Sequence, residues 1–216
     1  YRGCYATNNK EAFDFSSLLD ISINLNKIFK HKTYFGTQVH VTIGMYTSVG
    51  YLFPYYILND KKVQKEATDT EKKFDAILCL NEKVIVNKIR EKMLISRLDL
   101  PPNSLRILGS AEINNIIKET PFLFKFKSKK GYITNPQHSQ GIICSGLANS
   151  LEGAKKLVGR PLESPFTKIM SPFGTKGAVI VGIEEKTVSI KNGDVVVLKE
   201  LRKFKLNPKK YLKAQN

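Results

Sequence analysis

Apolar residues along this chain fall in short alternating runs rather than at helical spacing. Period-two alternation sends successive side chains to opposite faces of a strand, and β-branched and aromatic residues fill these runs. Residues 15–28, 38–43, 50–58, 74–80, 84–86, 93–97 and 105–117 therefore read as strands, followed by a later set at 167–171, 178–183, 187–190 and 194–204. Residues 59–73 are polar and charge-dense and read as a long hairpin loop. Between 122 and 130 Phe and Lys alternate, which predicts a strand with a core-facing Phe side and a basic side. The best short helix candidate is 150–159: Ser150 can cap it, Leu151, Ala154, Leu157 and Val158 form one face, and Gly159 ends it.

Many short strands separated by turn residues predict a mainly β protein of closed barrels or sandwiches. A boundary is expected near 118–121, and 216 residues suffice for two domains, each with its own core. Charge supports that division. Residues 1–118 hold 17 Lys and Arg against 12 Asp and Glu, net +5, whereas residues 119–216 hold 18 against 7, net +11. The total of +16 favours an anionic partner, nucleic acid above all, contacted chiefly by the C-terminal part. A basic proteome or plain solubility is the alternative. No apolar run approaches the roughly 18 residues of a membrane helix, and no signal peptide is evident, so no membrane contact is expected. Cys4, Cys79 and Cys144 are odd in number and widely spaced, which argues against a disulfide framework or a zinc site and suits a reducing, cytoplasmic setting. The chain begins at Tyr1, mid-pattern, and reads as an excerpt of a longer protein.

Catalytic chemistry is sparse. Neither G-x-x-x-x-G-K-[ST] nor G-x-S-x-G occurs. Gly174-Thr175-Lys176-Gly177 reads as a β-turn rather than a phosphate loop, because a strand follows it and no Ser or Thr follows the Lys. His31, His40 and His138 lack triad-like companions, and Cys144, in an apolar Gly-flanked segment, is expected to pack rather than react. No catalytic residue, metal or cofactor is expected in this chain. RNA-binding features are richer. Lys199, Arg202, Lys203, Lys205, Lys209, Lys210 and Lys213 are opposed only by Glu200, and Phe204 and Tyr211 are interleaved among them. Such a tail supplies salt-sensitive phosphate affinity and ring faces for bases, unless it is simply a solvated strand and a frayed end. The Lys side of the Phe/Lys strand adds Lys125, Lys127, Lys129 and Lys130. In Leu94–Gly109, Pro101-Pro102 must lie outside a central strand, which leaves Arg97 and Arg106 at the two feet of a stiff loop where they can grip an anion together. Arg97 can equally form an ion pair with Asp99 or with another neighbour in the fold.

Ser96-Arg97-Leu98-Asp99-Leu100-Pro101-Pro102, with Leu105-Arg106-Ile107, is similar to the archaeal selenocysteine-specific elongation factors, the SelB family of EF-Tu-like translational GTPases. Gln38–Gly44 with Met45, the stretch 141–159, Ser171–Gly177 and Val197–Arg202 occur in the same order as in that family, and Tyr1-Arg2-Gly3-Cys4 resembles the end of an EF-Tu-type domain II. The charged stretch 59–73 and the tail beyond Arg202 depart from the pattern and leave an archaeal or a eukaryotic source open. The resemblance implies the end of domain II at 1–6, an antiparallel domain III barrel at 7–118, and a second small β-rich barrel with a short helix, domain IV, at 119–216. It implies tRNA contacts at Gln38, Thr47, Arg97, Asp99, Asn103 and Arg106. Further contacts to the ribosome, to SECIS RNA or to a SECIS-binding protein are expected at Lys125, Lys127, Lys129, Lys130, Lys176, Arg202, Lys203, Lys205, Lys209 and Lys210. The expected partner is selenocysteinyl-tRNA, bound by a monomer whose GTP and Mg would sit in a domain that this chain lacks. Competing readings are domain III plus an extension of another translational GTPase, or a free-standing basic protein of the ribosome.

Overall fold

The computed structural model describes residues 7–68, 71–87, 91–184 and 189–208. It divides into two compact units, one formed by the chain up to Lys125 together with the segment from Lys203 onward, the other by Phe126–Arg202. The crossing at 125/126 lies beyond the composition break near 118–121, because Leu123 is fully buried in the first unit.

The first unit contains β1 (Phe13–Leu25), β2 (Thr33–Tyr34), β3 (Thr37–Ile43), β4 (Tyr46–Leu58), β5 (Lys61–Gln64), β6 (Ala67–Thr68), β7 (Lys73–Asn87), β8 (Lys92–Ser96) and β9 (Ile107–Ile116). It also holds the start of β10 (Phe122–His138). Antiparallel pairing runs β4–β3–β8–β9–β1–β7 and returns from β7 to β4, so six strands close a barrel. Alternation explains the filling: Val39, Val41 and Ile43 of β3 point inward and are buried, as are Leu19, Ile21, Ile23, Met93 and Ile95, while Gln38, His40 and Thr42 face outward.

A second apolar layer lies outside the barrel wall. Tyr51, Phe53 and Tyr55 of β4 and Ile77 of β7 are buried there together with Leu123 and Leu206. The ring of Phe35 meets Phe53 edge-on at 5.1 Å and Phe204 at 6.5 Å. This layer explains why 51–55 is a continuous apolar run: β4 is covered on both faces. Asp20 sits at its border, accepting from the Tyr55 hydroxyl at 2.7 Å and pairing with Lys62. Burial, together with the bond to Asp20, pushes ionisation of the Tyr55 phenol far up.

Several expected boundaries move. The stretch 59–73 is not one loop: a turn at Asn59 and Asp60, both with positive φ, joins β4 to β5, and β6 follows. Strands expected at 74–80 and 84–86 are one strand, β7, whose polar residues Asn81–Lys83 are exposed mid-strand. The first strand ends at Leu25, which frees 26–32 as a loop.

The second unit is a smaller ring. Strand β10 continues into it and pairs with β11 (Gly141–Ser145) and with β14 (Val195–Lys205), whose last residues return to the first unit. Strand β11 pairs with β13 (Ala178–Ile183), which pairs with β12 (Phe166–Phe173). The segment before β12 completes the ring: Leu162 donates its N–H to Thr167 at 2.9 Å and Glu163 donates to Val197 of β14 at 3.0 Å. Ile133, Cys144, Leu147, Ile169, Val179, Val181, Val196 and Leu198 fill the core. The helix, α1 (Leu151–Lys155), is capped as expected by Ser150 Oγ, which accepts from the Gly153 N–H at 3.2 Å. Val158 does not join its buried face and is exposed. Gly177 has φ +81°, and a Cβ there would lie 2.6 Å from the Ala148 carbonyl oxygen, so the turn after β12 requires glycine.

The Phe side expected to be core at 122–130 is not. Phe122 and Phe126 are 51% and 45% exposed, and of that stretch only Leu123 is buried. From Lys125 to Lys130 both faces of β10 are open to solvent, so the strand is held there by edge pairing rather than by a covering layer.

Candidate nucleic-acid interface

Strand β8 stops at Ser96 and β9 starts at Ile107, and the ten residues between them form a self-braced loop. Its feet are joined by the Arg97 N–H donating to the Arg106 carbonyl at 2.7 Å. Its tip is turned by the Ser104 N–H and Oγ donating to Pro101 O at 3.0 and 2.7 Å. Arg106 Nε donates to Leu100 O at 2.9 Å. Arg97 is almost buried; its Nε donates to Asp99 Oδ1 at 3.0 Å, its Nη2 pairs with Asp99 Oδ2, and its Nη1 donates to the Lys32 carbonyl at 2.8 Å. The two arginines therefore do not grip an anion together: Arg97 is spent on the loop, and the ion pair with Asp99 is the reading that holds. That guanidinium keeps the Asp99 carboxyl below its ordinary range. Asp99 and Asn103 are exposed, and Arg106 is half-buried with only its Nε so engaged.

The bond to Lys32 reveals residues that the sequence reading missed. Loop 26–32 is pinned by the Asn26 N–H to Leu108 O at 2.9 Å and by Phe29, buried in the barrel core, whose ring meets His31 at 5.5 Å. Pinned in this way, the loop presents Lys27, Lys30, His31 and Lys32 outward. Four basic residues among six at the end of a strand were the available signal, hidden because 15–28 read as one strand.

The outward face of β3 adds a polar strip. Gln38, His40 and Thr42 alternate along it, and Thr42 Oγ1 lies 3.0 Å from Oγ1 of Thr47, its partner on β4. His40 pairs with Ser96, so Gln38 lies toward the Arg97 loop and Thr47 at the far end of the strip. Gln38, Arg97, Asp99, Asn103 and Arg106 thus cluster at one end of the barrel, with Thr47 set apart.

The C-terminal cations are sorted by their partners. In the first unit, Lys125 Nζ lies 5.2 Å from the Phe204 ring centre, Lys203 Nζ lies 4.2 Å from that of Phe122, and Lys205 is exposed. In the second unit, Lys127, Lys129 and Lys130 are exposed on β10, and Lys176 is exposed at the turn 174–177. Arg202 is less available than expected: its Nε and Nη2 donate to Glu200 at 3.3 and 2.9 Å, and Glu200 also pairs with Arg160 at 2.7 Å. Lys199 pairs with Glu163. Lys209, Lys210, Tyr211, Cys4 and the segment 1–6 lie outside the described residues. Among the described residues no group of three His, Cys, Asp or Glu could hold a metal ion. Burial pushes the Cys79 thiol up and the Cys144 thiol up to about 12, which leaves both poor nucleophiles.

Residues 18–117 match the family model of archaeal selenocysteine-specific elongation factor domain III. Over 213 residues, 94% of this chain, the sequence is 31% identical to the selenocysteine-specific elongation factor of Methanocaldococcus jannaschii, and spans 44% of that protein's length. The fold matches the translation elongation factor SelB of Methanococcus maripaludis in its apo form, with TM-score 0.60 and 24% identity, covering 89% of this chain and 44% of that one. The same protein in complex with the GTP analogue GppNHp matches with TM-score 0.58 and 24% identity over the same shares. The chain therefore spans less than half the length of these relatives. It belongs to the selenocysteine-specific elongation factor family and corresponds to the C-terminal part of its members, with a domain III at residues 18–117.

Proposed function

We propose that this chain is the RNA-facing C-terminal part of a selenocysteine-specific elongation factor, which helps to hold selenocysteinyl-tRNA and deliver it to the ribosome at UGA codons. The observation that carries this reading is the Arg97–Lys32 bond, which sets the cationic loop 26–32 beside the loop 97–106 at the Gln38 end of the polar strip. An A-form RNA stem is recognised by its shape, its phosphates and its 2′-hydroxyls. Lys27 and Lys30 suit the phosphates, and Gln38, Thr47 and Asn103 offer amide and hydroxyl groups to the 2′-hydroxyls. The second unit would meet the ribosome, SECIS RNA or a SECIS-binding protein through Lys127, Lys129, Lys130 and Lys176. The sequence contains no phosphate-loop motif, so GTP and Mg would be held by another part of the parent protein.

Binding of selenocysteinyl-tRNA to the parent protein, followed by fluorescence anisotropy, tests this reading. Lys30→Gln with Arg106→Gln should weaken binding by about tenfold or more and make the salt slope shallower by about one for each phosphate no longer neutralised. Unchanged affinity with unaltered thermal melting would remove this end of the barrel from the interface. Equal affinity for an ordinary elongator tRNA would favour the alternative of a general translational GTPase.

A further inference from the structure

Away from the polar strip, the first unit carries a second surface of different chemistry. Strand β10 enters beside β5, pairing Phe124 with Val63. Lys61 Nζ lies 5.4 Å from the centre of the Phe124 ring, and Lys203 Nζ lies 4.2 Å from that of Phe122. Phe122 is half exposed, and Tyr56 and Leu58 at the end of β4 are exposed nearby in the β4–β5 hairpin. The lysines of this hairpin differ: Lys62, which also lies 4.8 Å from the Tyr55 ring centre, pairs with Asp20 and Lys65 with Glu71, whereas among the described residues Lys61 faces the Phe124 ring with no carboxylate pair. Lys203 and Lys125 likewise face rings. Among the described residues no carboxylate pairs with Lys61, Lys125 or Lys203, so this aromatic surface carries uncompensated positive charge open to an anionic partner. Phe122 lies outside the buried cluster that its neighbour Leu123 joins.

We propose that Phe122 and Phe124, with Lys61, Lys203 and Lys205, bind a single-stranded segment of RNA, separate from the stem-binding end of the barrel. Bases stack on the rings, and the ammonium groups swing from the ring faces to the flanking phosphates. Lysine's flexible stem permits that exchange, and a base stack outweighs an exposed cation–π contact. Two rings at alternate positions of one strand suit two bases of an unpaired loop or linker. Paired stems keep their base faces covered and do not fit this surface. A peptide partner would meet the same rings but would need acidic side chains to match the lysines, and it gives a different outcome below. The proposal rests on the reading of this chain as RNA-binding.

The test uses the full chain with two fluorescein-labelled probes, a twelve-nucleotide unstructured RNA and a hairpin closed by a stable tetraloop. The expected result is that Phe122→Ala weakens the single-stranded probe at least fivefold and leaves the hairpin within twofold, while Lys30→Gln does the reverse. Phe122→Leu, which keeps the apolar bulk and removes the ring, should reproduce the loss and separates stacking from folding. Binding of the single strand that is unaffected by either substitution at Phe122 overturns the proposal. So does hairpin binding without any binding of the single strand, an outcome that leaves the stem-binding reading intact and favours an acidic peptide as the occupant. Failure of both probes overturns both readings.

Discussion

Arg97 spends a guanidinium on two backbone-bracing tasks at once, pairing with Asp99 and holding the Lys32 carbonyl. Arg97→Ala should cost about 1–3 kcal/mol, typical of charge-assisted bonds, and should speed amide exchange in both loops. Arg97→Lys should recover little of this, because an ammonium cannot fork. The pair also sets a pH dependence. The Asp99 carboxyl is held low in the folded protein, so the unfolded chain binds the proton more readily. The stabilisation is present above the unfolded carboxylate range and lost as pH falls through the folded value. Denaturant unfolding at pH 7 and pH 3 should show a smaller acid-induced loss in Asp99→Asn than in the parent chain. Cys144 gives a check at the same scale. With its thiol pushed up to about 12 inside the second core, it should resist iodoacetamide at pH 8 in the folded chain and be alkylated in denaturant.

Strand β9 crosses β1 so closely at Gly109 that a Cβ would lie 2.2 Å from the Asn24 carbonyl oxygen. Gly109→Ala should therefore force the two strands apart and cost about 1–3 kcal/mol, read by thermal melting. Where one face is wet, as on β3, the alternation of Val39, Val41 and Ile43 with Gln38, His40 and Thr42 made the barrel wall legible in sequence. It failed where both faces or neither face was covered. The run 51–55 carries no alternation because Leu123 and Leu206, distant in sequence, cover its outer side. The stretch 125–130 alternates without having an apolar inside at all. Polar Asn81–Lys83 read as a break between strands because β7 itself bulges there: between the pairs Ser16–Val84 and Leu18–Cys79, β7 has the extra residues, and they stand out in solvent. At the site, the Pro-Pro loop was visible from composition. The pair of Arg97 with Asp99, two residues on, was one of the readings open in the sequence, but the approach of loop 26–32 was not legible, since it depends on an interaction across 65 residues.

For the whole molecule, the proposed RNA binding together with a net charge of +16 predicts an affinity dominated by counterion release. If about five phosphates are engaged, raising salt from 50 to 200 mM should weaken binding about 250-fold, with a log–log slope near −4. A slope near zero would count against phosphate contact as the main source of affinity. The route of the chain has a different consequence. The first unit gives way to the second after Lys125 and resumes only at Lys203, and Leu206, bonded through its N–H to Pro121 O at 3.0 Å, closes the outer apolar layer. During synthesis, the six-strand barrel can close early, but the outer apolar layer of the first unit cannot be finished until the whole of the second unit has been made. A nascent chain halted after Arg202 would leave Tyr51, Phe53 and Ile77 without the cover of Phe204 and Leu206. Exposing a buried side chain of that size forfeits about 1.5–3 kcal/mol. A nonsense change late in the gene would thus be felt in the earliest-made part of this chain, where sticky aromatic surface would mark the product for capture by chaperones and for degradation.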